Sequence, residues 1–293
     1  MMQVPQQTTI AKAISFSGIG VHSGEPSSVT LKPALVNTGI IIQNANDQQH
    51  EIKVGTIVPQ AAMHATVIVD KTWKISTIEH VMAAVSMMGI DNVIVEINGN
   101  EVPILDGSAL PFVQGIEQVG VVMLDARRQY LTPKQRLRFE DNDGRCITID
   151  SAVIMPATGE RETTLSLAYS AQFGHALVGD FTFNATITRE LFRDAIAPAR
   201  TFGFLSQLPF LRKNGLAQGT TLGNTVVVCD DHFLNELRFE DEFVRHKVLD
   251  LIGDLTLLGL PLIGTVTASK TGHSFNRLVI EHFIKHPEEW VVC

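Results

Sequence analysis

The chain has 293 residues, 45% of them apolar and 18% charged, so it can bury a large core and has little capacity for long disordered tails. That length is about twice the commonest domain size and predicts two domains rather than one long core. A formal charge of -8 argues against bulk electrostatic binding to nucleic acid, which needs clustered Lys and Arg, while leaving room for a local basic pocket that takes one small anionic ligand.

The first segment, Met1 to Gly18, lacks the cationic start and apolar stretch of a secretory signal, and no apolar run in the chain reaches about 18 residues. A soluble, cytoplasmic protein is expected. Residues 8 to 70 alternate apolar or β-branched runs with turns, the period-2 pattern of short strands. Ser76-Thr77-Ile78-Glu79 reads as a capping box that starts a helix with Val81, Ala84, Val85 and Met88 on its apolar face, stopped by Gly89. A strand follows over Asn92 to Ile97. Asp106-Gly107-Ser108 then forms a turn whose serine caps a second helix, near residues 109 to 119.

The polar, Pro-terminated stretch Asp125 to Pro133 is the expected domain junction, which divides the chain into 1–127 and 128–293. Beyond it, strands are expected over Cys146 to Ile149, Thr164 to Tyr169 and Asp180 to Phe183, then a helix capped near Thr188. A strand over Thr225 to Cys229, a long helix from Glu240 to Leu258, a strand over Ile263 to Ala268 and a helix over Ser274 to Lys285 complete the series. Strands followed by helices, twice over, suggest two α+β layers packed together, although no residue-level repeat proves a duplication.

Cys146, Cys229 and Cys293 are scattered and show no CxxC spacing, so any metal must be held by nitrogen and oxygen. The segment Arg238 to Asp254 carries the clearest candidates. On a helix, His246, Asp250 and Asp254 share one edge, and an imidazole and a carboxylate one turn apart can bind one ion. An isolated H-x3-D can equally be a surface ion pair. Phe243, Leu249 and Ile252 on adjoining faces point instead to a cleft. His80 is the third ligand expected, with Glu79 beside it, although a capping box alone would also explain Glu79. His273 falls in a short turn between a strand and a helix, and Asp254 is the partner that could orient its ring and favour its charged form.

Six motifs in order carry a resemblance: Ser17-Gly-Ile-Gly-Val-His22-Ser-Gly24, Ile75-Ser-Thr-Ile-Glu79-His80, Leu105-Asp-Gly-Ser108, Ala199-Arg-Thr-Phe-Gly-Phe204, Arg238 through Asp250, and Lys270-Thr-Gly-His273. Together they resemble the UDP-3-O-acyl-N-acetylglucosamine deacetylases, a zinc-dependent family that catalyses the committed step of lipid A synthesis. The resemblance implies an α+β fold of two similar domains, each a sheet with two helices. These would pack helix layer against helix layer, with a small insert in each half and the active site between them.

It further implies zinc held by His80, His246 and Asp250, with Fe2+ as an alternative occupant. Glu79 would be the general base, His273 the cationic acid, Asp254 its orienting carboxylate and Thr201 the residue beside the developing oxyanion. Lys247 would lie near the substrate, with Arg145 a secondary candidate for the diphosphate and uridine and Phe173 an apolar contact. The segment Thr201 to Leu216, with Phe202, Phe204, Leu208 and Leu211, could be core by composition. The family makes it the wall of a passage for the acyl chain. The expected partner is an acylated UDP-amino sugar, with the product passing to membrane-associated lipid A enzymes, and the chain is expected to be a monomer.

Two departures from the family pattern, His64 and Thr220, bear on substrate and inhibitor fit. Two readings compete: a non-haem Fe(II) oxygenase, which uses the same donor set but explains neither Glu79 nor His273, and a catalytically silent binder of the UDP-lipid.

Overall fold

The structure, a computed structural model, describes residues 5–70, 73–153 and 163–293. Met1 to Val4, the start of the segment read above for a secretory signal, lie outside the described residues. The fold is α+β, built on two five-stranded sheets, one from each half of the chain. The first sheet runs, in spatial order, Ile14–Ile19, Pro26–Pro33, Val93–Asn98, Ile40–Asn44 and Asp47–Lys53. The second runs Leu137–Glu140, Cys146–Asp150, Gly264–Ser269, Leu165–Gln172 and Asp180–Ile187. In both, the last strand in sequence inserts at the centre, parallel to the third and antiparallel to the second. The two halves therefore share one connectivity.

The helices occupy equivalent places in each half. Helix α1 (Glu79–Met87) precedes the central strand of the first sheet and α2 (Leu110–Val119) follows it. In the second half, α3 (Arg189–Leu191) is a single turn whose cap Thr188 accepts from the Leu191 amide and which continues as a π-turn over Phe192–Ile196. Helix α4 (Leu208–Lys213) falls between Phe202–Phe204 and Val226–Val228 in the chain, and α5 (Glu242–Thr256) and α6 (His273–Lys285) flank the central strand. Thus α5 corresponds to α1 and α6 to α2.

The α1 and α5 helices pack directly on each other, joining the halves through a core that includes Met82, Val85, Leu249 and Ile252. Gly253 makes this contact close: a Cβ there would collide with the Glu79 carbonyl oxygen. Of the four two-stranded pairs that lie off the main sheets among the described residues, two bear on the site. One is the hairpin Val67–Asp70 with Trp73–Ser76, and the other is Phe202–Phe204 paired in parallel with Val226–Val228, with α4 in the connection between them.

The expected start of α1 needs correction. Ser76-Thr77-Ile78-Glu79 does not form a capping box: Ile78 is the N-cap, and no side chain caps the helix. Thr77 has left-handed backbone (φ 60°) and its hydroxyl donates to Glu101, while Glu79 turns toward Thr66. The predicted stop is seen, with Gly89 at φ 76°. The polar stretch near residue 127 is partly strand: Val121–Arg127 pairs with Gln6–Ile10, and Leu131–Pro133 pairs with Trp290–Val292.

Candidate active site

Helices α1 and α5 bring His80, His246 and Asp250 together, all buried, with one potential ligand atom from each lying within 4.8 Å of the others. The His80 and His246 rings are 5.0 Å apart by centroid and nearly perpendicular. Asp250 Oδ1 lies 3.8 Å from His80 Nε2 and 3.4 Å from His246 Nε2. His246 Nδ1 donates to the Ala199 carbonyl at 3.0 Å, which fixes the tautomer and leaves the Nε2 lone pair facing inward. The Ala199 segment is itself held across the halves, because the Thr201 amide donates to the Gly107 carbonyl at 2.8 Å and Arg238 pairs with Asp106 at 2.9 Å.

These residues fit a metal ion. Asp250 Oδ1 is a buried acceptor without a hydrogen-bond partner, and it faces two imidazole nitrogens. Burial pushes the His80 ring down to about 3, with His246 adding to the effect, so the ring is neutral. Burial alone would raise the Asp250 carboxyl, but His246, Lys247 and His273 outweigh it and hold the carboxylate ionised. Neutral imidazole and ionised carboxylate are the states a metal takes.

Glu79 and His273 flank this cluster. Glu79 Oε2 accepts from the Thr66 amide at 3.1 Å, and Oε1 lies 3.9 Å from His273 Nε2. Burial raises the Glu79 carboxyl, with Asp254 and Asp250 adding to the shift and His273 opposing it. His273 is the first residue of α6 rather than a loop residue, and its Nδ1 meets Asp254 Oδ2 at 2.9 Å. Burial disfavours the imidazolium, but Asp254, Glu79 and Asp250 overcome it and raise the ring's pKa.

The cluster opens into a cleft of about 350 Å³ whose walls include Thr201, Phe202, Phe204, Leu208, Phe173 and Lys247. Lys247 Nζ pairs with Asp250 Oδ2 at 2.7 Å and lies 5.7 Å from the centre of the Phe202 ring. Phe173 packs edge-on against Phe202 at 5.4 Å. Arg145 is absent from these walls. It pairs with Asp141 and Asp143 within its own turn, so its assignment to the substrate lacks structural support.

The walls also carry residues to which the sequence assigned no role, among them two histidines. His22 approaches the His64 carbonyl at 3.2 Å. His64, noted above only as a departure, is exposed with left-handed backbone. Thr66 escaped notice altogether, since the partners of its hydroxyl lie 188 and 207 residues away and no local motif marks it.

Two imidazoles and one carboxylate beside a buried carboxyl and a paired imidazole form a donor set suited to a mononuclear catalytic metal centre. The family model described as UDP-3-O-acyl N-acetylglycosamine deacetylase matches residues 7–285. Curated proteins named UDP-3-O-acyl-N-acetylglucosamine deacetylase are similar throughout. The Chromobacterium violaceum protein is 36% identical over 97% of this chain and 92% of its own length. The Anaeromyxobacter sp. (strain Fw109-5) protein is 38% identical over 96% and 89%, and the Geotalea uraniireducens protein 39% identical over 97% and 90%. The chain belongs to the UDP-3-O-acyl-N-acetylglucosamine deacetylase family. Among the described residues no helix is long and apolar enough to cross a membrane.

Proposed function

We propose that this protein is a zinc-dependent amidase that hydrolyses the acetamide of a UDP-3-O-acyl-N-acetylglucosamine, giving acetate and the free 2-amino sugar nucleotide. The observation that carries this reading is the unpartnered Asp250 oxygen facing two imidazoles, between Glu79 and the ion-paired His273, in a chain of this family. The substrate class comes from the name its relatives bear.

A divalent cation on His80, His246 and Asp250 would supply Lewis acidity, polarising the acetamide carbonyl and acidifying water. Glu79, beside one ligand, is placed to take the proton of the attacking water as its oxygen bonds to the carbonyl carbon. Negative charge then develops on the former carbonyl oxygen, and the Thr201 hydroxyl on the cleft wall can donate to it. His273, held by Asp254 with Nε2 turned inward, gives its proton to the nitrogen as the C–N bond breaks. Lys247 supplies a positive charge for the diphosphate, and the Phe202, Phe204 and Leu208 wall receives the acyl chain.

The test incubates metal-analysed protein with an acylated UDP-N-acetylglucosamine, in one arm under anaerobic conditions and in another with oxygen and an oxo-acid, and measures acetate. Release of acetate in step with the free amine supports the reading. Oxygen-dependent turnover with an oxo-acid would replace it with the oxygenase, and tight binding with no turnover in metal-replete protein with the silent binder.

A further inference from the structure

We propose that Thr66 is a positioning residue for the reaction, registering the base and the carboxylate behind the acid from a single backbone unit. Thr66 is buried, immediately before the Val67–Asp70 strand, and each of its polar groups serves the site. The amide donates to Glu79 Oε2 at 3.1 Å. The carbonyl accepts from the Thr77 amide at 3.0 Å, two residues before Glu79. The hydroxyl donates to Asp254 Oδ1 and lies 3.1 Å from His273 Nδ1.

The hydroxyl matters because of how Asp254 is otherwise held. Its Oδ2 receives both His273 Nδ1, at 2.9 Å, and Asn276 Nδ2, at 2.7 Å, each from α6. Its Oδ1 receives Thr66. Without that third donor the carboxylate could pivot about the Oδ2 contacts and carry the imidazole with it, while one buried oxygen lost its hydrogen bond. Because Thr66 belongs to the first half and Asp254 and His273 to the second, the same contact fixes the spacing between Glu79 and His273 Nε2, now 3.9 Å. Thr66 has no place on the cleft wall, so it acts through these groups.

The inference rests on the deacetylase reading, and its test separates the two. In Thr66→Val, which keeps the shape and removes the hydroxyl, kcat should fall by about 10- to 100-fold, the usual cost of losing such a supporting hydrogen bond. KM should change by less than about twofold, since ground-state binding is untouched. Bound metal should be unchanged, and Thr66→Ser should restore most of the lost kcat. Should the valine variant not fold, Thr66→Ser against Thr66→Ala isolates the hydroxyl without adding a methyl group beside Asp254. A valine or alanine variant as fast as wild type, or a serine variant as slow as either, would overturn the assignment. Wild-type protein that released no acetate would instead remove the deacetylase reading.

Discussion

His273 and Asp254 meet through Nδ1 and Oδ2 at 2.9 Å, and this contact leaves the other imidazole nitrogen facing Glu79 and Asp250. A proton on that nitrogen can serve a leaving group only while the ring stays charged. Both the ring and Glu79 have raised pKa values, so the signs of the two limbs are fixed. Activity should rise as pH climbs through the Glu79 value, where the base loses its proton, and fall as pH passes the His273 value, where the acid loses its own. A divalent cation on the adjacent ligands adds positive charge beside both and draws both midpoints down. In His273→Gln the alkaline limb of the kcat/KM profile should disappear while the acid limb remains. An unaltered profile would refute the acid role.

Glu79→Gln should cost on the order of 10²-fold or more in kcat, typical of a general base. Metal analysis is the deciding control. Full occupancy assigns the loss to proton transfer, whereas an empty site would make Glu79 a ligand or structural support.

The apolar wall predicts a dependence on acyl length. Each buried CH₂ contributes roughly 0.8 kcal/mol, so kcat/KM should fall about fourfold for each methylene removed while the shortened chain still lies in the passage. Turnover of a substrate with no acyl group at the rate of the acylated one would place the chain elsewhere.

Arg200 and Glu242 form a buried pair beside the His246 support, with Arg200 Nε 2.9 Å from Oε1 and the Arg238 amide 2.7 Å from Oε2. Burial opposes the Glu242 carboxylate, but hydrogen bonds from Arg200 and Arg238 prevail and lower its pKa. A depressed folded-state pKa contributes stability that is present above the unfolded value, near 4.3, and lost as pH falls through the folded one. Glu242→Gln should therefore remove part of the acid-side slope in stability. It should also destabilise the protein at neutral pH by up to about 3 kcal/mol, because the buried Arg200 charge loses its carboxylate while keeping its bond to the Glu236 carbonyl. Denaturant melts from pH 7 downward measure both.

How much could be read in advance depended on sequence distance. His246, Asp250 and Asp254 were legible because helical spacing alone puts them on one edge. The strand order within each sheet was not, because it depends on pairings between segments far apart in the chain, such as Val29 with Ile97 and Ile147 with Ala268. Ser76 to Glu79 misled because a capping box and a buried carboxyl share one pattern, and only the Thr66 amide decides between them. Arg145 looked available for a phosphate, yet Asp141 and Asp143 satisfy it within four residues. Around the expected junction, Val121–Arg127 pairs with Gln6–Ile10 and Leu131–Pro133 with Trp290–Val292, pairings between residues more than 100 apart that no local pattern announces.

Gly253 lets the Glu79 backbone nest against α5, so two ligands from one half of the chain and one from the other can grip the same cation. A cation held there would act as a rivet across the molecule's midline, its binding energy shared with cohesion between the halves. Stripping it with a chelator should lower the melting temperature as well as abolish turnover. A methyl group at position 253 should mimic that loosening by wedging the seam open.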